Sequence, residues 1–219
     1  MKEYAPKMLS KEEVTAIVKE KFADVIATKN KGKVREMREA LSHLPVEVVS
    51  LAEFGALPDA VEDGKTFAEN ARIKAAFYQQ QTGCACLADD SGLEVEVLGG
   101  KPGIFSARFA GFHADDATNN EKLLAELRKA GVESSPADYR CALAFVDVDG
   151  TSLVTEGRCD GTVRMVAKGE NGFGYDPYFY TEDYPGRTMA EISFEEKDAI
   201  SHRGKALRAM VEELEERLR

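Results

Sequence analysis

No stretch of this 219-residue chain approaches the roughly eighteen consecutive apolar residues that a membrane-spanning helix needs, and its N-terminus lacks a secretory apolar core. The chain is therefore expected in the cytoplasm, away from membranes. No lysine/arginine block is longer than two residues, and 29 basic against 39 acidic residues leave a formal net charge of −10. That balance argues against a general grip on nucleic-acid backbone. It leaves small anions as partners, because these need only a few local cations and a helix N-terminus. Cysteine and histidine are scarce, four and three. Neither the spacing of Cys84, Cys86, Cys141 and Cys159 nor that of the histidines resembles a zinc site, so the cysteines are expected as reduced thiols. Walker A and Rossmann glycine patterns are missing, as are repeats and low-complexity tracts.

What is present suffices for a compact domain or a two-lobed one, with 43% apolar and 31% charged residues. Ser10 to Lys21 reads as an amphipathic helix with Ser10 and Glu13 spaced as a capping box, a helical extension over residues 1–21. Asp24 to Ala27, Lys33 to Leu44 and Val46 to Ser50 give a β-α-β start with a partly parallel sheet. A polar loop, Pro58 to Lys65, leads into a helix from about Thr66 to Gln81. Cys84 to Ala88 is a short apolar strand, and Leu93 to Leu98 another, closed by Gly99-Gly100. Helix returns over Ala117 to Ala130 and stops at Gly131. Gly131 to Asp138 is the expected lobe boundary. Beyond it Cys141 to Val148 and Ser152 to Val166 form a hairpin through Asp149-Gly150, and a helix from about Ala199 to Arg217 ends the chain.

Between the first two strand candidates of the middle segment stand Asp89, Asp90, Ser91 and Gly92. A turn there would swing both carboxylates toward one cleft, where a hard cation such as Mg²⁺ finds oxygen ligands; Asp-Asp-Ser-Gly is equally an ordinary strand-ending turn. Thr28-Lys29-Asn30-Lys31-Gly32-Lys33 sits at a strand-to-helix junction. Its free N–H groups suit phosphate, and a lysine in the first helical turn opposes the usual preference for acids there; a solvated turn is the alternative. Glu62 precedes a helix bearing Glu69, Asn70 and Lys74, and positions 70 and 74 share a face, so an amide and an ammonium can meet one ligand. Arg108 is a further candidate phosphate contact; a solvated residue is the alternative. In Asn171-Gly172-Phe173-Gly174-Tyr175-Asp176-Pro177, glycines flank an aromatic that can stack on a flat ligand while Asp176 accepts from a ring N–H; core packing of Phe173 and Tyr175 is the alternative. Ser201, His202 and Arg203 point to different azimuths of one helical turn, and a polar helix start is their alternative.

In this order, Thr28-x-Asn30-x-x-Lys33, Thr66-Phe67-x-Glu69-Asn70-Ala71, Asp89-Asp90-Ser91-Gly92-Leu93, Gly99-Gly100-x-Pro102-Gly103, Phe173-Gly174-Tyr175-Asp176-Pro177 and Ile200-Ser201-His202-Arg203-Gly204 closely resemble the inosine triphosphate pyrophosphatase family, the Ham1-like non-canonical purine NTP diphosphatases. The resemblance covers essentially everything after Phe22. It implies an α/β fold, elongated and two-lobed with a mixed sheet and a deep central cleft, as one domain over residues 22–219, usually in a homodimer. It implies Mg²⁺-dependent hydrolysis of dITP, ITP and XTP to the monophosphate and pyrophosphate. By the same resemblance Asp90 is the general base and a metal ligand, with Glu62 and Asp89 near the metal. Thr28, Asn30 and Lys33 bind phosphate, Asn70 and Ser91 contact substrate, and Phe173, Gly174, Tyr175 and Asp176 hold the base together with Lys197, His202 and Arg203. Where this chain has Lys29, family members commonly have glycine. Two other readings compete: a Maf-like pyrophosphatase of different specificity, and a non-catalytic nucleotide-binding protein.

Overall fold

The computed structural model describes residues 23–26, 31–44 and 46–217. The expected helix from Ser10 to Lys21 and the phosphate-loop residues Thr28, Lys29 and Asn30 lie outside the described residues. Seven strands form one mixed sheet: β1 (Ala23–Ile26), β2 (Glu47–Ser50), β3 (Ala85–Val95), β4 (Lys101–Pro102), β5 (Ser134–Val146), β6 (Ser152–Arg164) and β7 (Phe179–Thr181). Their order is β2-β1-β3-β5-β6-β7, with β4 paired to β3 off that path. β1 runs parallel to β2 and β3, while β3, β5, β6 and β7 are mutually antiparallel neighbours. A parallel pair needs a crossover, and helix α1 (Lys31–Ala40) supplies it between β1 and β2. The long β5–β6 hairpin turns at Gly150, whose N–H donates to the Asp147 carbonyl at 3.0 Å.

Side-chain alternation along β3 divides the core. Ala85 and Leu87 face Met37 of α1, Leu41 just past its end, and Leu207 and Met210 of α5 (His202–Arg217). Cys86 and Ala88 face Ala71 and Ala75 of α2 (Phe67–Thr82). Further along, Leu93 and Val95 join Leu123 and Leu127 of α3 (Asp116–Lys129) in a third cluster. At Gly92 the pattern needs the absence of a side chain, since a Cβ there would run into the Gly103 carbonyl and the Ser106 hydroxyl. All four cysteines are buried. Burial pushes the Cys141 thiol up to about 12 and the Cys159 thiol to about 11, so neither is a nucleophile at neutral pH.

Two expectations change. Asp89 to Gly92 form no turn: β3 runs unbroken for 11 residues, and Asp89, Asp90 and Ser91 each pair with β5, opposite Leu143, Ala142 and Cys141. The final helix is two, α4 (Phe194–Ile200) and α5, broken at Ser201, whose backbone is extended at φ −65° and ψ 153°. Within the stretch expected as a lobe boundary, β5 begins at Ser134 and is already paired with β6.

Candidate active site

The straight course of β3 sends Asp89 and Asp90 to opposite faces of the sheet. On the α1/α5 face, Asp89 is buried and its Oδ2 meets the Lys33 ammonium at 2.7 Å and the Arg203 guanidinium at 3.5 Å. Ser91, two residues on and so on the same face, donates its hydroxyl to that oxygen at 3.3 Å and accepts from Arg203 at 3.1 Å. Burial works against ionisation of Asp89, but the charges of Lys33, Arg203 and Lys74 outweigh it and hold the carboxyl well below the usual range. The second guanidinium nitrogen of Arg203 donates to Glu36 at 3.0 Å. Its Nε has no hydrogen-bond partner among the described residues.

On the α2 face stands Asp90. Its Oδ2 accepts from the Asn70 amide at 3.0 Å, and its Oδ1 from the Ser91 N–H at 3.1 Å. Asn70 also accepts from the Gly64 N–H at 2.9 Å, and Glu69 accepts from the Lys65 N–H at 2.6 Å. These two bonds strap the preceding loop onto the first turn of α2, where Thr66 caps the helix by accepting from the Glu69 N–H. Glu62 of that loop lies 3.1 Å from the Lys74 ammonium, which donates in turn to the Asp89 carbonyl at 2.9 Å. Asn70 and Lys74 thus meet one site, as their spacing on the helix predicts. Burial raises the Asp90 carboxyl, Lys74 and Asn70 oppose it, and the charges of Glu62 and Asp89 add to the rise.

Beyond Ser91 a cavity of about 240 Å³ opens between β3, β5 and the start of α5. Lys33, Tyr139, Phe173, Tyr175, His202 and Arg203 are among its walls. The His202 ring stacks on Tyr139 at 4.8 Å with planes 14° apart. Burial, reinforced by Arg203, Lys197 and Lys33, drives its pKa well below the ordinary histidine value, so the imidazole is neutral. Its Nδ1 has no hydrogen-bond partner among the described residues. Phe173 is 38% exposed at the cavity rim, with the Lys197 ammonium 4.6 Å from its ring centre.

Asp176 works inside the protein. Its Oδ2 accepts from the Phe173 N–H at 2.9 Å and the Lys197 ammonium at 2.5 Å, and its Oδ1 from the Tyr139 hydroxyl at 3.3 Å. The carboxylate organises the loop, where the sequence suggests a contact to a base edge. Gly172, at φ 78°, has no room for a Cβ because Asp176 lies against it. Tyr175 is buried and donates its hydroxyl to the Ser106 carbonyl at 2.7 Å, which fixes the ring as a wall. Gly174 is held at both ends: its N–H donates to Asp116 at 2.7 Å and its carbonyl accepts from Asn120 at 2.9 Å.

Most expected site residues fall into these two regions: Lys33, Ser91, Phe173, Gly174, Tyr175, Asp176, Lys197, His202 and Arg203 line the cavity, and Glu62, Asn70 and Asp90 stand on the α2 face. Asp89 stands apart from Glu62 and Asp90. Arg108 joins neither region; its guanidinium covers the Phe105 ring at 5.2 Å. Among the described residues no three histidine, cysteine, aspartate or glutamate side chains cluster as a metal cage. Sequence reasoning passed over Glu36, Tyr139, Asp116 and Asn120. Glu36 carried a signal, since it lies three residues after Lys33 on one helix face.

The family model described as the Ham1 family matches residues 25–213. The chain belongs to the Ham1 family. A protein named dITP/XTP pyrophosphatase from Syntrophobacter fumaroxidans is 51% identical over 195 residues, covering 89% of this chain and 83% of that one. A namesake from Bacillus anthracis is 47% identical over 194 residues, covering 88% and 96%. A solved Ham1 protein from Coxiella burnetii is 41% identical with a TM-score of 0.82, covering 89% of this chain and 99% of its own. The Staphylococcus aureus Ham1 protein is 37% identical with a TM-score of 0.79, over 89% and 99%. Ham1 membership removes the Maf-like alternative. It also agrees with the α/β mixed-sheet architecture expected from the sequence.

Proposed function

We infer that this Ham1 chain is a nucleoside triphosphate pyrophosphatase acting on dITP, ITP and XTP, releasing the monophosphate and pyrophosphate, with Mg²⁺ as cofactor. One observation carries the reading. A cavity with a neutral histidine, an exposed phenylalanine rim and the cations Lys33, Lys197 and Arg203 opens beside a strand whose next face presents an ionisable carboxylate, Asp90.

Asp90 and Glu62 fit a hard divalent cation. Both offer carboxylate oxygens, and the Asp90 carboxyl, raised chiefly by burial and further by the charges of Glu62 and Asp89, is a group whose ionised form a cation would favour. Asp89 does not fit the same ion, since it faces the other way and Lys33 and Arg203 balance its charge. A bound Mg²⁺ supplies charge neutralisation of the phosphates and a more acidic water. The protein's share is positional and basic. Asn70 and the Ser91 N–H fix both oxygens of Asp90, so its orientation toward a water is set before substrate arrives. An elevated carboxyl is also a stronger proton acceptor than an ordinary one. Lys33 and Lys74 place positive charge on the two faces of β3, suited to a polyphosphate and to the leaving pyrophosphate.

Base choice rests on hydrogen bonding. A 6-oxopurine carries O6 and N1–H where adenine carries an amino group and an acceptor. The unpartnered Nδ1 of a neutral His202 donates or accepts according to its tautomer, and Lys197 and Arg203 are donors only. Phe173 offers the ring face on which the base stacks. The non-catalytic alternative predicts lost carboxylates, and Glu62, Asp89 and Asp90 are all present.

Steady-state hydrolysis of dITP, XTP, dGTP, dATP and dTTP with Mg²⁺, with products separated, tests this. Rapid formation of dIMP and pyrophosphate, slowed by orders of magnitude in Asp90→Asn, is expected. Orthophosphate as the first product, or activity near the parent level in Asp90→Asn, would refute it.

A further inference from the structure

The rim residue Phe173 belongs to a loop with no regular structure of its own, yet its place is fixed from two sides. From inside, Asp176 accepts from the Phe173 N–H and is itself anchored by Lys197 and Tyr139. From outside, the first two turns of α3 reach over. Asp116 accepts from the Gly174 N–H at 2.7 Å and, one helical turn later, Asn120 donates to the Gly174 carbonyl at 2.9 Å. Positions 116 and 120 share a helix face, so one rigid element grips both polar groups of one peptide residue. Gly174 takes φ 62°, a left-handed conformation that glycine adopts without strain. The helix is itself well seated. Asp115 caps it by accepting from the Thr118 N–H at 2.8 Å, and Asn119 binds the Ala110 N–H at 2.9 Å and the Ala107 carbonyl at 3.2 Å. The amide orientation of Asn120 follows from the bond it gives, which leaves its Oδ1 buried and without a hydrogen-bond partner among the described residues. Asp116, by contrast, is exposed and also lines the cavity.

We propose that Asp116 and Asn120 are positioning residues for substrate, a clamp by which α3 holds Gly174 and so keeps the Phe173 ring where it stacks on the base. The clamp touches no reacting atom. It keeps the loop in its binding conformation before substrate arrives, so the ordering cost is not charged to the substrate's binding energy. This rests on the nucleotide reading given above and extends it to residues outside the motifs that suggested it.

The test uses the full chain. Asp116→Ala leaves the Gly174 N–H without its acceptor, whereas Asp116→Asn keeps an acceptor oxygen at the same reach. Asn120→Ala removes the second arm. Expected for Asp116→Ala and Asn120→Ala is a rise in KM for dITP of about tenfold with kcat within about twofold, the loss of one hydrogen-bond-scale contact. Asp116→Asn is expected to restore KM to near the parent value. Calorimetric Kd values for dIMP should follow the same order, and thermal unfolding of the surface variant Asp116→Ala should match the parent. An unchanged KM and dIMP affinity in both alanine variants, or a fall in kcat without a change in KM, would overturn the clamp. A parent enzyme that fails to hydrolyse dITP would instead overturn the function on which it rests.

Discussion

Asp89 and Asp90 are neighbours with opposite thermodynamic characters. Asp89 binds its proton less tightly folded than unfolded, so its contribution is fully present above the ordinary carboxylate pKa, about 4, and is lost as pH falls through its depressed folded value. Asp90 is the reverse: its carboxyl is raised, so folding is favoured with the proton on and loses stability as pH rises from about 4 through the folded value. Asp89→Ala should therefore cost about 3–5 kcal/mol, because it removes the buried carboxylate that Lys33 and Arg203 share; urea unfolding at neutral pH measures it. Asp90→Asn should lower kcat by about 10² to 10⁴-fold while raising the melting temperature at pH 7. That gain should vanish below the ordinary carboxylate pKa, which a melting series over pH would reveal. The doublet was legible in the sequence as a site. Its division of labour was not, because the tendency of Asp-Ser-Gly to turn was set against pairing with β5, and the pairing won.

At the scale of elements, local signals read well where one element's own residues decided the outcome. Thr66 caps α2, the spacing of Phe67, Ala71, Ala75 and Tyr78 places one face of that helix in the core, and Gly131 takes a positive φ just past α3. The break between α4 and α5 was harder to read, since Glu196 to Lys205 has helical character throughout. Ser201 decides it: its hydroxyl accepts from the Gly204 N–H at 3.0 Å, starting a new helix whose first residues are His202 and Arg203. Without the break His202 would not be aimed against Tyr139. Ser201→Ala is expected to cost about 1 kcal/mol of stability and to raise KM for dITP more than it lowers kcat; denaturant unfolding and steady-state kinetics on one variant check both. The contacts of Asp116, Asn120 and Tyr139 were illegible for a different reason. Each joins segments tens of residues apart, and a single sequence carries no register between them.

On the whole molecule, an acidic chain of net charge −10 is read here as an enzyme for a polyanion. The resolution is local: Lys33, Lys74 and Arg203 gather about Asp89 and Lys197 lines the neighbouring cavity, while the rest of the chain carries the excess acid. Raising ionic strength should weaken dITP binding, since part of that attraction is screenable, and a KM rising with salt at constant kcat would register it. The order of six motifs suggested one site before any contact was known. The two-faced use of β3 needed the fold, because only the paired strand separates Asp89 from Asp90. As a homodimer, the assembly expected from the family resemblance, the protein should scatter light as twice its 24.0 kDa chain mass. The most direct test of the account is the ratio of kcat/KM for dITP over dATP in the parent enzyme with Mg²⁺. A hydrogen-bonding pocket built around neutral His202 predicts a ratio of at least ~10²; a ratio near one would contradict it.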